Sequence, residues 1–73
     1  MNKTFAEVVK DSHHCCCERY SLDWPTDTMI AEDILDNYEL DDTPDVSNPY
    51  KYNEWVEKVR LELNRQGLTY VVN

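Results

Sequence analysis

The sequence predicts an α+β fold: a small single domain, mainly helical, with a minor two-stranded pairing. Three observations carry that expectation. Apolar residues recur at helical spacing in two well-defined stripes, cap residues (Thr4, Asn48, Pro49, Gly67) stand at the ends of helix-length segments, and strand-forming runs lie at 19–23 and 68–72. The expected helices cover about residues 5–13, 27–38 and 49–66, with 19–23 pairing with 68–72. At 73 residues the chain has room for one domain, 1–73, with one small core, which buries only ~60% of the surface its unfolded form exposes. Its hydrophobic content of 41% and eight aromatic residues exceed what a disordered acidic tail carries.

Thr4, Phe5, Ala6 and Glu7 fit a capping box, so the first helix is expected to begin at Phe5. Phe5, Val8, Val9 and then Cys15 or Cys16 recur at helical spacing, but the β-branched pair weakens the helix beyond Asp11. Tyr20, Leu22 and Trp24 then alternate with Arg19, Ser21 and Asp23, the period of a half-buried strand, which Pro25 ends. The second helix starts between Thr26 and Thr28, with Asp27, Glu32 and Asp33 near the positive end of its dipole. Ile30, Ala31, Ile34, Leu35 and Tyr38 make its apolar stripe, and Glu32, Asp33 and Asp36 are assigned to the opposite, wholly anionic face.

Residues Glu39 to Asn48 are turn and cap types and read as a connector. Asn48 as N-cap and Pro49 at the first helical position open the third helix. Tyr52, Val56, Val59 and Leu63 form its stripe beside Trp55, and Glu54 and Lys58 make an i,i+4 pair in the favourable order. Gly67 is expected just past its end, in the left-handed conformation. Both tryptophans, Trp24 and Trp55, are assigned to the core, because so small a domain needs their bulk.

Charge is the most uneven property of the chain. Residues 20–50 hold nine acids (Asp23, Asp27, Glu32, Asp33, Asp36, Glu39, Asp41, Asp42, Asp45) and no Lys or Arg. The segment before them balances three acids with three bases and the segment after has four bases to three acids, so this block, at −9, accounts for the chain's net charge of −8. A pI near 4.4 excludes the counterion-releasing contacts that bind nucleic acid, and it disfavours an anionic membrane. The complement is a basic protein surface. Asp33, Asp36, Glu39, Asp41 and Asp42 are the expected contact carboxylates, with Leu40 and Val46 as apolar anchors among them.

His13, His14, Cys15, Cys16 and Cys17 are the one cluster of metal-ligand residue types, and His13 and Cys17 would share a helix face. Structural zinc sites join ligands from two separated clusters, and no second cluster exists here, which argues against a structural zinc; no cofactor is expected, and a small metal-binding module on His13 and Cys17 is kept only as an alternative reading. The same residues lack the orienting group and oxyanion loop of a Cys/His nucleophile, and residues 36–45 lack the central glycine and terminal glutamate of an EF-hand, so the chain reads as non-enzymatic. Three adjacent cysteines cannot form a spaced disulfide framework, which points to a reducing compartment. With no apolar run of signal or membrane-span length, a soluble, cytoplasmic monomer is expected.

In length, acidity, scarcity of glycine and a cysteine run without a catalytic motif, the whole chain resembles the small host-takeover proteins encoded by bacteriophages. Among them it is most similar to the transcription regulators and antiterminators that bind bacterial RNA polymerase. Asp33, Asp36, Glu39, Asp41 and Asp42 match the habit of such proteins of presenting carboxylates to basic polymerase surfaces. The resemblance implies a regulator of host RNA polymerase acting in the bacterial cytoplasm by inhibition or antitermination. A second phage class, the nucleic-acid mimics that block restriction or CRISPR nucleases, shares the same character.

Overall fold

A computed structural model of the chain describes residues 3–40 and 44–68. Each helix begins where a side chain satisfies a free backbone N–H. Thr4, in an extended conformation, accepts from the Glu7 N–H at 3.2 Å and opens α1 (Phe5–Tyr20). Thr26 does the same for the Met29 N–H and opens α2 (Asp27–Asn37). Asn48 accepts from the Lys51 N–H at 3.0 Å ahead of Pro49, and α3 (Pro49–Gln66) follows. At its end Gly67 takes φ 71°, its N–H donating to Asn64 and that of Leu68 to Leu63, so the last carbonyls are satisfied by a conformation that glycine adopts without a Cβ penalty.

The expected two-stranded pairing is overturned: the described residues contain three helices and no strand, so the fold is all-helical rather than α+β. The first helix does not stop near residue 13. It continues to Tyr20 because Val8, Val9, Ser12 and Cys16 lie along one buried line at helical spacing, the last two being small residues that complete the apolar stripe. Ser21 then terminates it in the left-handed region at φ 54°. The alternation of Tyr20, Leu22 and Trp24 is not a burial pattern, for all three are exposed, at 52%, 40% and 49%. Of the other expected strand, Leu68 packs against the core, and residues 69–72 lie outside the described residues.

Each helix packs against the other two, and each gives three apolar side chains to the core: Val8, Val9 and Cys16 from α1, Ile30, Ala31 and Ile34 from α2, and Trp55, Val59 and Leu63 from α3. Trp55 joins all three elements, its ring meeting Phe5 edge-on at 5.7 Å and its Nε1–H donating to the Ala31 carbonyl at 3.0 Å. Lys58, expected to pair with Glu54, lies over the Phe5 ring with its ammonium 4.8 Å from the centroid. Gln66 donates to the Ala6 carbonyl at 3.0 Å and ties the end of α3 to the start of α1.

Candidate functional site

The acidic residues of α2 divide into one that is buried and several that face solvent. Asp33, assigned from the sequence to the anionic outer face, is 8% exposed and sits between α1 and α2. Its carboxylate accepts from the Ser12 hydroxyl at 2.7 Å, the Arg19 guanidinium at 3.0 Å and the Asn37 amide at 2.9 Å. Its position explains this: three residues after Ile30 and four before Asn37, Asp33 borders the apolar stripe, where α1 supplies both a donor and a cation. A carboxylate so held joins two helices, and it is already charge-paired and largely shielded from solvent.

The exposed carboxylates are Glu32, Asp36 and Glu39, with Asp45 beyond them. Glu32 accepts from the Tyr52 hydroxyl at 3.1 Å. Asp45 accepts from the Ser47 N–H, and these contacts with Ser47, aided by Lys51, hold its carboxyl below the usual range. Leu40 and Val46, expected as freely presented anchors, are half-buried and pack against the core. Asp41 and Asp42 lie outside the described residues. A hollow of about 420 Å³ is lined by Leu35, Tyr38, Glu39, Leu40 and Pro44, a lining of mixed polarity that includes one acid. Burial, with Cys15 and the acids Asp11 and Asp33 nearby, pushes the Tyr38 hydroxyl up to about 12, so it stays protonated at neutral pH.

The His/Cys run diverges as adjacent helical residues must. Cys16 points into the core, Cys15 lies toward Tyr38, and His14 pairs with Glu18 at 3.1 Å. His13 and Cys17 do share a face, with Sγ 3.9 Å from Nδ1, the Trp24 ring edge-on to the imidazole at 6.4 Å, and the thiol donating to the Asp23 carbonyl. Burial lowers the His13 pKa and raises that of Cys17, so both favour the neutral form, whereas a metal-binding cysteine must be a thiolate. Among the described residues no group of three or more His, Cys, Asp or Glu side chains is placed to hold an ion.

The lowered His13 pKa has a pH signature. The unfolded chain takes up this proton first as pH falls through 6.5, so stability is lost from there down to the folded-state pKa. His13→Gln is expected to flatten the stability change as pH falls below the ordinary histidine value of 6.5, as measured by urea unfolding. An unaltered pH dependence would exclude His13 as its source.

Sequence reasoning missed two groups of residues. One is the set of donors to Asp33, signalled only by Arg19 being the last base before the base-free block. The other is the turn between α1 and α2, where Tyr20, Leu22 and Trp24 face solvent although Trp24 had been assigned to the core. No family model, curated protein or solved structure matches this chain.

Proposed function

We propose that the chain is a non-enzymatic binding protein whose exposed acidic surface, along α2 and the connector after it, docks on a basic protein surface. In keeping with its resemblance to phage regulators, that surface would belong to bacterial RNA polymerase, which the chain modulates by inhibition or antitermination. The observation that carries the reading is the segregation of charge: Glu32, Asp36 and Glu39 stand exposed along a base-free segment, beside the hollow that Glu39 helps to line. An ordinary solvated face mixes both signs. Like charges on adjacent turns also cost the helix a few tenths of a kcal/mol per pair, so helix stability does not account for them.

Such a surface acts mainly on encounter. Replacing Asp36, Glu39, Asp41 and Asp42 with Asn or Gln is expected to slow association with immobilised bacterial core RNA polymerase by about tenfold at low salt and to flatten its salt dependence, with the fold intact. Both rate constants measured at low and physiological salt test this. An association rate indifferent to salt and to these substitutions would make the acidic block a solubility feature, and displacement of the protein by DNA alone would favour the nucleic-acid mimic. Leu40→Ala would cost stability as well as residence time, because Leu40 packs against the core.

A further inference from the structure

We infer that the turn joining α1 to α2 is the apolar anchor of this contact, and that its occupant is a cationic segment of a partner protein in which Lys or Arg alternate with apolar side chains. The inference rests on the acidic-surface reading and locates where that surface grips. Tyr20, Leu22 and Trp24 are three of the five large hydrophobic residues exposed on the described chain, and they fall within five consecutive positions. Two of them are of the aromatic types that dominate binding hot spots.

These side chains stand on a held frame. Ser21 closes α1 in the left-handed conformation, the Leu22 N–H donates to the Cys17 carbonyl at 3.2 Å, and the Cys17 thiol reaches the Asp23 carbonyl. Trp24 meets the edge of His13, and Pro25 is buried behind it. Arg19 lies 5.9 Å from the Tyr20 ring while bonded to Asp33. A turn fixed in this way loses little conformational entropy on binding.

Charge selects the occupant. Asp23 lies within the exposed apolar run and is itself exposed, and the nearby cation, Arg19, is engaged by Asp33. Tyr20 also borders a small groove of about 160 Å³ lined by Arg19 with its partner Asp33 and by the exposed acids Glu32 and Asp36, so three carboxylates face one cation next to the apolar contact. A second copy of the chain is disfavoured, since it would bring Asp23 against its equivalent in a molecule of net charge −8. The groove on α3 between Tyr50 and Leu61 offers no comparable selection, because Glu54 and Glu57 there are offset by Lys58 and Arg60.

The test uses two synthetic peptides of equal positive charge, one with leucines between its lysines and one with serines in their place, titrated into the full ¹⁵N-labelled chain. The leucine peptide is expected to bind about tenfold more tightly, with shifts at the Leu22 and Asp23 amides and the Trp24 indole N–H. Leu22→Ser and Trp24→Ser should each lose most of that gain and leave the serine peptide's affinity unchanged. Equal affinity for the two peptides, or a shift map silent over residues 20–24 of the parent chain, would overturn the inference and leave the acidic-surface reading standing. Binding of neither peptide would overturn both.

Discussion

Replacing Trp55 with alanine is expected to remove about half or more of the protein's folding stability. Trp55 is 6% exposed and meets both other helices, through the Phe5 ring and the Ala31 carbonyl. Truncating a buried aromatic to alanine costs about 3–5 kcal/mol, and the lost aromatic pair adds about 0.5–1.5 kcal/mol. A domain of this length is stabilised by only roughly 4–11 kcal/mol in total. Far-UV circular dichroism during urea unfolding measures the effect, and Trp55→Phe, which keeps a ring but loses the donor, should retain a cooperative transition. A loss under about 1 kcal/mol for the alanine variant would show that α3 does not pack as described.

Asp33→Ala is expected to cost about 2–4 kcal/mol, an effect far larger than that of any neighbouring acid. The loss would fall chiefly on Ser12, whose buried hydroxyl would be left without its carboxylate acceptor; Arg19 is half-exposed and Asn37 exposed, and both can turn to water. Asp36→Ala, on the exposed side, should be neutral or slightly stabilising because it relieves like-charge repulsion along α2. A double-mutant cycle with Ser12→Ala should show a coupling of about 0.5–3 kcal/mol. If Asp33→Ala and Asp36→Ala behave alike, the buried position of Asp33 is wrong.

The contrast between these two aspartates shows what was legible in the sequence. Helix starts at Thr4 and Asn48 and the stop at Gly67 were readable because a cap is a local event, one side chain meeting a backbone group three residues away. The extent of α1 was not, since its buried line passes through Ser12 and Cys16, and the burial of a serine depends on an acceptor twenty-one residues further along the chain. The same acceptor misled the reading of charge. Asp33 and Asp36 differ by three positions and look interchangeable, and only the approach of α1 makes one a tether and the other a solvated carboxylate. Tyr20, Leu22 and Trp24 failed in the opposite sense, because alternating apolar residues at a chain reversal imitate a strand whose partner does not exist among the described residues.

Helix α2 has eleven residues, carries no base in its last turn, and touches both α1 and α3. So short and so uniformly charged a helix would hardly persist alone in water, and it owes its form to the packing of the whole domain. The acidic surface is therefore a property of the folded state only, absent from any molecule that has opened. A ligand seated on it draws on the global folding equilibrium: at a hundredfold excess over its dissociation constant it adds about 2.7 kcal/mol. For a chain this close to the margin that is a large share of the total. Occupied molecules would outlast free ones wherever proteases sample the open form, so cellular turnover would itself sort the engaged population from the surplus.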